Sequence, residues 1–113
     1  MSSQRYNVVT LSVANGATAV TPNLDLRNWD LVAIHTPATL TSIAITFAIS
    51  PDGSVTAMSV RDQGGSAISL TVAASRYTML TQQTMEGMHG ICTLTMGSAE
   101  GGARTLYAIL RAR

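Results

Sequence analysis

The chain contains no lysine, one cysteine and five aromatic residues, and only 12% of its 113 residues are charged. Soluble domains usually carry about 25% charged residues, so this surface is poorly ionised. Seven arginines against six carboxylates give a formal net charge of +1, which offers no electrostatic basis for binding nucleic acid or an anionic membrane. The sequence therefore predicts neither partner.

With Cys92 as the lone cysteine, an intrachain disulfide is excluded, and we expect a buried, inert thiol there. No apolar run approaches the roughly 18 residues of a transmembrane helix, and residues 1–5 lack the apolar centre of a signal peptide. We therefore expect synthesis in a cytoplasm. The length suits a single domain over residues 1–113, with an extended arm over residues 1–5 as an option.

The sequence shows no catalytic, metal-binding or cofactor-binding pattern. His35 and His89 are the only histidines, and no nucleophile elbow, metal-ligand spacing or phosphate-binding loop accompanies them. Asp52 precedes a glycine, so we expect it to cap a turn rather than bind calcium. These patterns predict a protein that is not an enzyme and takes no cofactor, metal or small-molecule substrate.

Small side chains dominate instead, with 15 threonines, 11 serines and 15 alanines. Because charge is depleted at the centre of protein interfaces, this composition together with the low charge favours extensive contact in an assembly. A threonine- and serine-rich monomer is the alternative interpretation.

Apolar and polar residues alternate along most of the chain, which indicates β-strands. Residues 43–49 give the clearest alternation, and turn signals such as Asn15-Gly16, residues 50–53 and residues 62–65 separate the strands at intervals of roughly 8–12 residues. The pattern predicts an all-β protein. About eight antiparallel strands spaced in this way are typical of a β-sandwich or a barrel.

Three segments depart from simple alternation. The register shift between Leu24 and Ile34 predicts a bulge or loop near Arg27. Residues 81–90 could hold one helical turn, but two glycines favour a loop. Residues 97–102 are glycine-rich and are interpreted as a hairpin loop before the last strand.

Six residues are candidate interface contacts. Methionine adapts to irregular contacts, so the methionines in and beside residues 81–90 either pack on their own sandwich or insert into a neighbouring subunit. Arginine tolerates interfaces better than lysine, which suits the arginines of the last strand to a solvated or interfacial edge. The candidates are Tyr6, Met79, Met85, Met88, Arg104 and Arg111. As an alternative function, Trp29 and the tyrosines could form a sugar-binding platform.

The segment from Phe47 to Gly53 resembles the F-x-x-S-x-D-G hairpin of small tailed-phage structural proteins. A glycine turn at residues 62–65, a strand ending in residues 72–76 and a final strand from Arg104 to Leu110 follow in the same order. The resemblance spans roughly residues 40–111 and is to capsid decoration (cement) proteins, and it implies an all-β fold, an antiparallel, jelly-roll-like β-sandwich of about eight strands. It implies a non-enzymatic virion protein on the capsid surface that binds the major capsid protein as a homotrimer. A binding module of a phage tail or host-attachment structure is the alternative.

Overall fold

A computed structural model describes residues 5–113, so most of the expected N-terminal arm lies outside the described residues. The described chain forms ten strands and one helix. Their bounds are β1 Tyr6–Val13, β2 Val20–Thr21, β3 Leu24–Asp25, β4 Trp29–His35, β5 Ala44–Ser50, β6 Met58–Ser59, β7 Ser69–Thr71, β8 Tyr77–Met79, α1 Gln82–Gly87, β9 Ile91–Met96 and β10 Arg104–Ala112.

The strands form two antiparallel sheets. The first sheet has the order β2-β1-β10-β4-β8, and the second has the order β3-β9-β5-β6 with β7 also paired to β5. If β2 is treated as an added edge strand, and β6 with β7 as one interrupted strand, eight strands remain in the arrangement of a double-sheet jelly roll. The expected fold class is confirmed, with ten strand segments where about eight were expected.

The core lies between the two sheets, because alternate side chains of each strand point inward. Leu11, Leu31 and Leu106 of the first sheet meet Phe47 and Leu94 of the second, and all five are at most 2% exposed. Burying each of these side chains stabilises the folded protein by roughly 1.5–3 kcal/mol.

Cys92 lies in the core as expected, and its burial raises the pKa of the thiol to about 12. Ile43 departs from the expected alternation. It precedes β5, and 75% of its surface is exposed, although Ile45 and Phe47 point inward as expected.

Two of the expected turns form as their residues require. Gly16 has a φ of +78° and Gly53 a φ of +88°, a region that favours glycine. The Asp52 carboxylate accepts hydrogen bonds from the backbone N–H groups of Ser54 and Val55 at 2.9 and 3.1 Å. These hydrogen bonds lower the pKa of Asp52 and confirm that it caps the turn.

One expectation about connections is confirmed and one is wrong. The register shift between Leu24 and Ile34 is a loop at residues 26–28 and not a bulge within one strand, because β3 and β4 belong to different sheets and the chain crosses the sandwich there. Residues 97–102 are not a hairpin loop, because β9 and β10 also lie in different sheets. Both segments are crossings of the kind that a jelly roll needs.

The expected loop at residues 81–90 contains the helix α1. Thr81 caps its N-terminus by accepting a hydrogen bond from the backbone N–H of Thr84 at 3.3 Å. The helix turns Met85 toward the core, and Met88 follows it there, so their exposed fractions are only 8% and 2%. Burial of these two side chains holds the segment against the sandwich despite Gly87.

Candidate functional site

The outer face of the first sheet is unusually apolar. Strand β10 carries an uninterrupted apolar run over residues 106–110, so both of its faces are apolar. Strand β1 likewise places Tyr6 and Val8 on the side opposite to its buried Leu11 and Val13. Strands that are apolar on both sides are typical of sheets that are covered on both faces.

Strand register assembles these outward side chains into two rows that cross four strands. One row runs through Val8, Ile109, Ala33 and Met79, and the next through Thr10, Tyr107, His35 and Tyr77. We call these eight residues, together with Tyr6, the apolar face; within it Ala33 is fully buried, and Thr10 and His35 are polar. Val8 is 58% exposed, Met79 70% and Tyr77 53%, so large apolar side chains lie in contact with solvent.

The outer face of the second sheet has a different composition. Paired positions on β5, β7 and β9 place threonines, serines and alanines side by side, as in Thr46 between Ser69 and Thr95. Small residues therefore line the centre of this face. Larger apolar side chains lie at its margin, because Ile43 beside β5 is 75% exposed and Met58 on β6 is 68% exposed.

A cluster of ion pairs lies at one end of the apolar face. The Asp30 carboxylate lies 3.2 Å from the Arg111 guanidinium and 3.1 Å from that of Arg113. Arg113 is not aligned to hydrogen-bond Asp30 Oδ1, and it donates instead to the Met88 carbonyl oxygen at 2.7 Å. Asp30 thus offsets one of the two arginine charges beside the apolar face.

A second buried carboxylate lies at the far end of β10. Glu100 accepts hydrogen bonds from the backbone N–H groups of Thr41 and Ser42 and from Arg104 Nε, at 2.8, 2.7 and 3.0 Å. Burial alone would raise the pKa of Glu100, but the hydrogen bonds outweigh it and lower the pKa to about 2. Glu100 is therefore an ionised structural anchor that three donors of its own chain bind.

The six candidate interface residues separate into three groups. Tyr6 and Met79 lie on the apolar face, and Arg111 lies at its end. Met85 and Met88 are a correction, because their side chains fill the core of their own sandwich and are not available to a neighbour. Arg104 pairs with Glu100 away from the apolar face.

Sequence reasoning missed most of the apolar face. Val8 and Ile109 were not candidates, and Tyr77 and Tyr107 were considered only as sugar platforms. The continuous apolar run at residues 106–110 was a usable signal, because a strand with only one covered face would alternate. The position of that run between β1 and β4, and of β8 on the other side of β4, however, depends on topology that a local pattern does not contain.

A shallow cleft of about 460 Å³ adjoins one corner of the apolar face. His35 and Tyr77 line it together with Arg76, and the His35 ring meets Tyr107 edge-on at 5.7 Å between centroids. Within residues 5–113, the structure groups no three His, Cys, Asp or Glu side chains as a metal site, and neither histidine forms an ion pair with a carboxylate.

Within the same residues, no helix is long and apolar enough to cross a membrane. Comparisons with protein-family models, curated proteins and solved structures found no match to this chain.

Proposed function

We propose that the protein is a virion structural protein, a capsid decoration (cement) protein that binds the shell formed by the major capsid protein and stabilises it. The apolar face is the observation that carries this proposal. The largest exposed apolar patch of a monomeric protein is often functional, which makes the apolar face a candidate interaction site. The resemblance of residues 40–111 to decoration proteins supplies the class of partner.

The apolar face is the centre of a protein interface rather than the whole of one. Its two rows cross four strands spaced by about 4.8 Å, and each row takes up about two residues at roughly 3.3 Å along the strand, so the rows span on the order of 250 Å². Covering them buries about 500 Å² in total, so a specific interface of roughly 1,000 Å² or more would extend beyond the apolar face. Many copies on one closed shell would stabilise the assembled state by mass action, since they bind only that state.

The remaining parts of the proposal follow from this role. The protein acts without catalysis, cofactor or small-molecule substrate, is made in the host cytoplasm and resides on the virion surface as a homo-oligomer, with the trimer as the expected state. The charge-poor exterior supports this role, because few charged groups would have to be desolvated on docking.

A pelleting assay with empty expanded shells of the phage that encodes the protein tests the proposal. We expect the wild-type chain to sediment with the shells and to raise their melting temperature. Met79→Glu should abolish both effects, because it places an uncompensated charge in the covered face. Thr95→Glu is the matched control, since Thr95 is exposed on the second sheet. Wild-type protein that stays in the supernatant would contradict the proposal.

A carbohydrate-binding module is the second candidate, favoured by the aromatic row Tyr77, His35 and Tyr107 beside the cleft. Trp29 is half-buried against the core and is not part of this aromatic row. A glycan array that responds to the wild type and to Trp29→Ala, but not to Tyr77→Ala, would favour this function over shell binding.

A further inference from the structure

Strand β1 lies nearly at the edge of the first sheet, and its neighbour β2 covers little of it. Strand β2 pairs only with Ser12 and Val13. Over residues 6–11, no other strand among residues 5–113 pairs with the outer edge of β1. A strand edge of this length is a ready template for pairing with another chain.

The backbone groups that this edge presents can be assigned from the register. The N–H of Ala112 donates to the carbonyl oxygen of Arg5, so the odd-numbered residues of β1 bond to β10. Since antiparallel strands alternate the direction of their hydrogen-bonding groups, the N–H and C=O of Tyr6, Val8 and Thr10 point to the open edge.

We infer that a second copy of this chain pairs antiparallel along this edge, with Val8 opposite Val8 of the other copy. The inference rests on the self-association that is part of the proposed function, but it gives a two-fold dimer at this edge in place of the trimer expected there. In this register Tyr6 of each copy opposes Thr10 of the other. The backbone N–H and C=O groups of Tyr6, Val8 and Thr10 therefore meet groups of the other copy that also point to the open edge. A two-fold axis perpendicular to the sheet relates the copies.

The extent and charge of the segment fit a second copy. Residues 5–11 of one copy would face residues 11–5 of the other, so the pairing ends where β2 begins at Ser12. Arg5 is the only charged residue in this segment, and it would oppose Leu11. The two Arg5 side chains would lie roughly 20 Å apart, well beyond the screening length of about 8 Å.

The apolar face also continues across this contact. Val8 is both the centre of the open edge and the end of the row that runs to Met79. Pairing at Val8 therefore joins the two rows into one that spans eight strands, and doubles the apolar area offered to a shell. Three residue pairs make a small interface, so we expect association that depends on protein concentration.

Disulfide cross-linking tests this register. Val8→Cys would place two Cα atoms about 5.5 Å apart, inside the range of roughly 4.4–6.8 Å that a disulfide spans. Thr10→Cys is the matched control on the same face, because its two copies would lie roughly 14 Å apart. The double variant Tyr6→Cys with Thr10→Cys again brings two thiols of different copies together, because Tyr6 of one copy opposes Thr10 of the other. The native Cys92 is buried and should not interfere.

Under mild oxidation at equal concentration, we expect dimers that reducing agent dissolves from Val8→Cys and from the double variant, and monomer from Thr10→Cys and the unaltered chain. Equal cross-linking of Val8→Cys and Thr10→Cys, or none from Val8→Cys, would overturn the inference. Shell pelleting by the unaltered chain is independent of this result, so edge pairing and shell binding can fail separately.

Discussion

The carboxylate of Glu100 accepts a hydrogen bond from the backbone N–H of Ser42 at 2.7 Å, although 58 positions separate them in the chain. Ser42 also donates from its hydroxyl to the carbonyl oxygen of Ser98 at 2.7 Å. These bonds fasten the segment before β5 to the crossing between β9 and β10. The crossing joins the two sheets, so this contact contributes to holding the sandwich closed.

Replacement of Glu100 by glutamine should lower the free energy of unfolding by about 2–3 kcal/mol. Glutamine keeps one acceptor oxygen but loses the charge that pairs with Arg104, and hydrogen bonds to charged groups are worth roughly 1.5–3 kcal/mol. Urea denaturation followed by circular dichroism measures the change. Glu86→Gln on the exposed surface of α1 is the control and should stay within about 0.5 kcal/mol of the wild type. Equal stability of the two variants would contradict the anchor role.

The pH dependence of stability provides a second check on the same carboxylate. The pKa of Glu100 falls from an ordinary value of 4.5 to about 2 in the folded protein, so the unfolded chain binds more protons between these values. The stabilisation is therefore complete above about pH 4.5 and is lost as the pH falls toward 2, by about 3 kcal/mol in total.

Comparison of the wild type with Glu100→Gln isolates this effect. Asp25 also has a pKa of about 2, lowered by its hydrogen bonds to Arg27, but it titrates equally in both proteins. Urea denaturation at several pH values should show the difference between the two proteins shrinking as the solution is acidified. A difference that stays constant from pH 6 to about pH 2 would show that another group carries the acid sensitivity.

Local pattern predicted the strands and turns but not their placement in the two sheets. Ile45 and Phe47 alternate with small residues, and Gly53 marks a turn, because these choices depend on near neighbours. Residues 97–102 have the local sequence of a hairpin loop. Only the strands that pair with β9 and β10 show that this segment crosses from one sheet to the other. The partners of Glu100 were likewise beyond sequence reasoning, since Thr41 and Ser42 lie almost 60 positions away.

The methionines show the same limit in the candidate site. Met79, Met85 and Met88 lie within ten positions and share one chemistry, so no local pattern separates them. The strand β8 directs Met79 outward, whereas α1 turns Met85 inward and Met88 follows. A six-residue helix with glycine at its end has little intrinsic stability, and its position depends on the core that it covers.

Alanine substitutions should separate the methionines by their effect on stability. Met88→Ala should cost about 2–5 kcal/mol, because it removes a buried side chain and leaves a cavity. Met79→Ala should change stability by no more than about 0.5 kcal/mol, since Met79 is 70% exposed. Thermal and urea unfolding measure both. A large loss from Met79→Ala would mean that this side chain already packs within the single chain.

The thiol of Cys92 should be unreactive in the folded protein. A disulfide reagent needs a thiolate that it can reach, and burial both removes Cys92 from solvent and raises its pKa to about 12. We expect no reaction with a chromogenic disulfide reagent at pH 8 until urea unfolds the chain, and then one thiol per molecule. Val8→Cys serves as the positive control, because Val8 is 58% exposed and its replacement thiol should react at once. Rapid reaction of the unaltered folded chain would show that β9 opens readily, and the two sheets would then be held together more weakly than their packing implies.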